Sequence, residues 1–161
     1  VAKLFGVPGK IKSRAQVLAE FQPALKLKGS PANGKIVFTQ RCALCHRSVK
    51  EGNHLGPDLV TVKANGKEKL LISILDPNRE VAANYMAYDV ALKNGTTHTG
   101  LLGDETTTHI RIKLPLGQQV LLPRAQVKSM SSGGKSLMPE GLEAGVSQQQ
   151  MADLLAFITG L

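Results

Sequence analysis

Apolar residues along this chain begin on a helical period, switch to a strand period and return to the helical one. From Ser13 to Leu27 they fall at Val17, Leu18, Phe21, Leu25 and Leu27, a helix-like spacing that Ser13 can cap and Pro23 interrupts. Gly29, Ser30, Pro31 and Gly34 then read as a linker, so residues 1–29 are expected to be an N-terminal helical arm or the tail of a preceding domain. Ser30 followed by Pro31 opens a helix expected to run to Arg41, with Gly34 and Phe38 four apart on one face. A polar loop leads to Gly56-Pro57-Asp58-Leu59, and a further helix over Gly66–Leu75 carries Leu70, Leu71, Ile74 and Leu75 before Asp76-Pro77-Asn78 stops it.

Period two begins at Met86. Met86, Tyr88, Val90 and Leu92 alternate with smaller or polar neighbours up to the hairpin signal Asn94-Gly95. Thr97–Leu102, a turn at Gly103-Asp104-Glu105, the alternation of Ile110, Ile112 and Leu114, a turn at Pro115-Leu116-Gly117 and Gln119–Leu122 continue it, so four or five antiparallel strands fit. His98 and His109 lie on the polar phase. Ser129–Lys135, rich in Ser and Gly, returns the chain to Ser136-Leu137-Met138-Pro139. The last helix opens at Ser147 with Gln150 in capping-box spacing and buries Met151, Leu154, Leu155 and Ile158, with Phe157 beside that face and Gly160 at its end.

The chemistry lies between the first helices, in Cys42-Ala43-Leu44-Cys45-His46, which uses both cysteines of the chain. Two thiols three residues apart can add across both vinyl groups of a haem while the adjacent imidazole reaches the iron, the attachment signature of c-type haem. A zinc site would need a second ligand pair, which His54, His98 and His109 do not form. A thioredoxin-type dithiol expects a strand before the motif, where this chain reads helical. His46 is thus the expected proximal ligand. The rigid turn at Pro57 is the expected source of a carbonyl that orients the ring, since a metal-bound imidazole usually donates its other N–H.

Composition narrows this further. Hydrophobic content of 42% is ordinary, but 4% aromatic with no Trp leaves an aliphatic core that a large flat group would complete. No apolar run approaches a membrane span and no signal-peptide pattern opens the sequence, so the numbering is expected to start after processing or inside a longer parent chain. Covalent haem points to a periplasmic or otherwise extracytoplasmic bacterial location. The formal charge of +8 suits a redox partner protein with an acidic docking surface. Nucleic acid is excluded as a partner by the dispersed lysines and the lack of interleaved aromatics.

These pieces resemble a class I cytochrome c. The likeness covers the helix with Gly34 and Phe38, the Cys42–His46 motif, Gly56-Pro57-Asp58-Leu59, a middle helix, the Met138-Pro139 loop and a final helix ending Leu154-Leu155-Ala156-Phe157-Ile158. In that family the final helix crosses the first near a glycine and aromatic residues, here Gly34, Phe38 and Phe157. The separation of His46 from Met138 is longer than a compact cytochrome c needs. Ile72-Ser73-Ile74-Leu75-Asp76-Pro77-Asn78, Tyr85, Tyr88, Asn94-Gly95, Thr99-Gly100-Leu101-Leu102 and Ser136-Leu137-Met138-Pro139-Glu140-Gly141-Leu142 resemble a subfamily of haem-binding domains abundant in Planctomycetes and Verrucomicrobia. Such domains usually lie at the C-terminus of large secreted proteins, beside a propeller resembling sugar dehydrogenases or helical repeats, so fusion to a dehydrogenase or repeat domain is expected. The expected fold is mainly α: a cytochrome c-type helical haem domain over 30–80 and 131–161, with a small antiparallel β module inserted over 81–130, α+β overall.

The expected function is one-electron transfer through one covalent haem c, its iron held by His46 and Met138, in an electron carrier and not an enzyme. A thioether stabilises ferrous iron and fills the sixth position. Met151 falls on a helix core face, Met86 on a strand's apolar phase and Met130 at the edge of the Ser/Gly loop, which leaves Met138 as the distal ligand. The alternative is a sensor or peroxidase-like haem domain with an open sixth position, for which no acid/base residue stands out.

Overall fold

The computed structural model describes residues 12–161, so the first eleven positions of the expected arm lie outside the described residues. Helices form where a cap meets an apolar stripe. Helix α1 (Arg14–Phe21) starts at Ser13, whose hydroxyl accepts the Gln16 N–H while the Gln16 side chain accepts the Ser13 N–H at 2.9 Å. Pro23 turns its end into a 3₁₀ segment, Gln22–Leu25. Helix α2 (Pro31–Arg41) has Ser30 as cap and proline in its first turn. Asp58 caps a single turn, α3 (Leu59–Val62), which leads through a 3₁₀ turn to α4 (Gly66–Leu75). A second capping box, Ser147 with Gln150, opens α5 (Gln148–Thr159). No helix among the described residues is long and apolar enough to cross a membrane.

The helices share one core built on the crossing of α2 and α5. Gly34 meets the Asp153 backbone so closely that a Cβ would collide with its carbonyl oxygen, and the same holds for Gly29 against Ala152. Phe38 and Phe157 pack beside the crossing in a tilted pair, with ring centroids 5.4 Å apart and planes at 39°. The buried Asp153 carboxylate accepts the Ser30 N–H at 2.7 Å and the Gln149 amide at 2.9 Å, tying the start of α2 to α5. Val17, Leu18, Phe21 and Ala24, all within the stretch expected as an arm, are buried in this same core with Leu70, Leu71, Leu75, Met151 and Leu155. Each of these side chains larger than alanine contributes about 1.5–3 kcal/mol of transfer free energy.

Between α4 and α5 the chain forms β1 (Ala87–Leu92), β2 (Thr97–Glu105), β3 (His109–Lys113), β4 (Gln119–Pro123) and β5 (Val127–Ser131). They pair antiparallel in the order β4-β3-β2-β1-β5. Gly95 supplies the positive φ of the β1–β2 turn, at 91°. Val90, Leu92, Ile110, Ile112 and Leu122 bury their side chains in a second cluster, separate from the helical one.

This corrects the expected fold class. The chain is α+β, 41% helical and 23% strand, with a five-stranded antiparallel sheet, and is not a mainly α, cytochrome c-type fold. The reason is that Val90 and Leu92 on β1 and Ile110 and Ile112 on β3, each pair spaced two apart, join Leu122 in a core of the sheet's own, separate from the helical one. Two boundaries also move. The expected Ser/Gly return loop is strand up to Ser131, because β1 offers a free edge on which Met130 pairs with Val90 and Ser129 with Ala91. Strand β2 runs on through Gly103-Asp104-Glu105, absorbing the expected turn as an irregularity between Leu102 and Glu105.

Replacing Gly34 by alanine should cost about 3 kcal/mol, since the added methyl meets backbone that cannot move alone. Gly133→Ala, where a Cβ meets nothing within 4 Å, should stay within about 0.5 kcal/mol of the parent. Urea unfolding of both variants checks this, and equal midpoints would mean that α2 and α5 are not in close contact.

Candidate functional site

Helix α2 ends by handing over both thiols. Cys42 is its C-cap, and the His46 and Cys45 N–H groups return to the Cys42 carbonyl at 2.8 and 3.1 Å, so Cys42–His46 forms one compact turn. The chain then doubles back on itself. The Leu55 and Gly56 N–H groups donate to the Cys45 carbonyl at 2.9 and 2.7 Å, Leu59 N–H to Arg47 at 2.8 Å, and the Asn53 side-chain amide to the Ala43 carbonyl at 3.0 Å. Every carbonyl from Cys42 to Arg47, except that of Leu44, is met within this loop by a bond from residues 45–59.

That doubling back fixes the imidazole. His46 Nδ1 lies 2.8 Å from the Pro57 carbonyl oxygen. A carbonyl only accepts, so Nδ1 carries the proton and Nε2 keeps its lone pair. Gly56 lies flat against the ring, where a Cβ would come within 2.5 Å of Cε1. Burial pushes the His46 pKa down and the Pro57 bond pulls it partly back, which favours the neutral ring a metal requires.

Burial lifts the Cys42 thiol to about 12, the neighbouring Cys45 adding to the rise and the Arg41 guanidinium opposing it. Burial raises Cys45 as well. Both cysteines are free thiols. Cys42 lines an apolar groove with Val37, Ile74, Met138, Leu142, Met151 and Leu154, with Arg41 at the same groove. The structure thus brings Met138 to the thiol-bearing end of α2 across a long stretch of sequence. Met86 pairs with Ser136 at the foot of the sheet, Met130 is on β5, and Met151 is buried in the helical core. His54 stands apart, its Nε2 within 2.7 Å of the Arg47 guanidinium in an exposed loop. His109 bonds its neighbour Thr108.

Asn78 and Asn53 tie down the loops that carry Met138 and the two cysteines, a positioning role that the sequence does not announce. Asn78 accepts the Ser136 N–H at 2.9 Å and donates to Glu140 at 2.7 Å, stapling both sides of Met138 to the end of α4. Its only sequence signal was a helix-stopping Asp-Pro-Asn, which says nothing of a partner far along the chain. Asn53 had no signal beyond loop polarity.

A covalent haem fits the donor set. Both thiols are free, the Cys42 thiol lines an apolar groove that Met138 also lines, and one oriented imidazole follows the two cysteines. Among the described residues no group of three or more His, Cys, Asp and Glu side chains is placed to hold a metal ion by itself. Comparison with protein-family models and with curated proteins finds no match to this chain.

In the haem-free chain, iodoacetamide at pH 8 should alkylate Cys45 several-fold faster than Cys42, because the thiolate is the nucleophile and Cys42 sits at about 12. Raising the pH toward 10 should speed both. Peptide mapping of the first labelled cysteine reads the order, and Cys42 labelling first would contradict the burial of its thiol.

Proposed function

We propose that the chain is a c-type haem protein that carries single electrons to and from a redox partner in an extracytoplasmic compartment. Cys42 and Cys45 would hold the group by thioethers, His46 Nε2 would be one iron ligand and the Met138 sulfur the other. When bound, the haem supplies a one-electron ferric/ferrous couple. The observation that carries this proposal is the His46–Pro57 bond beside two free thiols, since it leaves a single oriented lone pair on Nε2.

The chain's own residues do the rest. Pro57 fixes the tautomer and the plane of the ring. Gly56 lets backbone pass against it without a side chain in the way. Val37, Ile74, Leu142 and Leu154 keep the groove apolar, which limits water and favours the less charged redox state. Asn78 and Ser136 hold the backbone on either side of Leu137, and Ser136 Oγ accepts the Met138 N–H at 3.1 Å, so the thioether arrives on a tethered loop. Pro139 restricts Met138 to extended backbone.

Acidified organic solvent should leave the colour on the polypeptide, and Cys42→Ala with Cys45→Ala should release it; extractable colour from the parent would overturn the proposal. Met138→Ala should abolish the weak far-red methionine–iron band, lower the reduction potential and admit carbon monoxide, whereas Met130→Ala should leave the spectrum unchanged. A parent spectrum surviving in Met138→Ala would mean the wrong distal ligand.

A further inference from the structure

The β3–β4 turn leans on the attachment loop. The Leu116 N–H donates to the Leu44 carbonyl at 3.4 Å, the carbonyl that the loop leaves to an outside partner, and Gly117 lies beside the side chain of Asn53. A turn of the sheet therefore meets the residues between the two thiols.

Leu116 is an odd occupant of that turn. At φ 62° and ψ 25° it is the only left-handed non-glycine among the described residues, a conformation that glycine or asparagine adopts at far lower cost than leucine. Its side chain is 61% exposed, so no burial offsets the strain. Leu44, to which it is bonded, is 49% exposed, and Val49 of the same loop 56%. Neither backbone preference nor packing accounts for an apolar side chain there. A surface that is covered by something else does account for it.

The charges say what kind of partner that is. Arg41, Arg47 and Lys50 flank Leu44 along the loop, and none of them is in an ion pair with a carboxylate among the described residues, whereas nearby Lys35 pairs with Glu51 at 2.8 Å. Taking the site as a haem c electron carrier, we propose that Leu116 and Leu44 form a composite docking face, half from the sheet and half from the attachment loop, for a redox protein whose contact surface has an apolar centre ringed by carboxylates. The cations steer the approach and the two leucines supply desolvated contact. A single electron would cross this contact between the bound haem and the partner, with no bond formed or broken.

Gold coated with a mixed monolayer of carboxylate- and methyl-terminated alkanethiols imitates that partner, with a carboxylate-only monolayer as reference. The holoprotein should adsorb more tightly to the mixed surface, by surface plasmon resonance, and exchange electrons faster on it, by voltammetry. Leu116→Asn, which suits the left-handed turn, should lower both by about fivefold or more and keep or raise the urea midpoint. Leu116→Met should restore them, Leu121→Asn on β4 should change neither, and Lys50→Gln should weaken adsorption on both surfaces and flatten its salt dependence. The docking face is overturned if Leu116→Asn matches the parent, if Leu121→Asn loses as much, or if the face proves to be a dimer contact, with parent dimers that Leu116→Asn dissolves. Extractable colour would overturn the haem reading and with it the redox nature of the partner. Retained colour with an indifferent Leu116→Asn overturns the docking face alone.

Discussion

The placement of both thiols depends on how closely α2 approaches α5. Gly34 and Gly29 let backbone meet backbone at the crossing, and the buried Asp153 carboxylate fastens the start of α2 through the Ser30 N–H. A helix clamped at its start and pressed flat along its middle has no freedom left at its end, so Cys42 comes to one position at the groove. Any side chain larger than hydrogen at Gly34 would tilt α2 away. The tilt would move Cys42, and with it the turn that orients His46.

How much of this the sequence discloses depends on the range of the interaction. Ser13, Ser30 and Ser147 announce their helices because a cap acts on amides two or three residues away. The hairpins at Asn94-Gly95 and Pro115-Gly117 are legible for the same reason. Strand β5 is not: Lys128, Ser129, Met130 and Ser131 are exposed, carry no alternation, and become strand only because β1 presents an unpaired edge from far back in the chain. The resemblance to a helical haem domain makes the fold read as mainly α, although Val90 with Leu92 and Ile110 with Ile112 carry the period of an independent sheet core. In the candidate site, the grouping of Cys42, Cys45 and His46 is legible because the three are neighbours in the chain. The roles of Asn78 and Asn53 rest on side-chain bonds to backbone that only folding brings near.

Burial sets an order of events at the thiols. A sulfur attacks as thiolate, and in the folded chain Cys42 is held at about 12 by the apolar groove around it. The groove that would shelter a bound haem is thus the same environment that suppresses the nucleophile needed to attach it. On the proposed function, thioether formation at Cys42 would be favoured on a chain in which α2 has not yet closed against α5.

The sheet is more than an appendage to this site because it touches the site at both ends. At its foot, just before β1, Met86 pairs with Ser136, and the Leu137 N–H donates to the Tyr85 carbonyl at 3.3 Å, so the segment entering Met138 is pinned to the start of the sheet. At its far turn, Leu116 holds the Leu44 carbonyl between the two cysteines. One unit with its own hydrophobic core therefore spans the His46 loop and the Met138 loop. A sheet resists shear along its ladders far better than a loop resists bending, so the two loops cannot drift apart independently. Loosening the Pro115–Gly117 turn would then act on the Met138 side as well as on the face beside Leu44, through the strands and not through the helices.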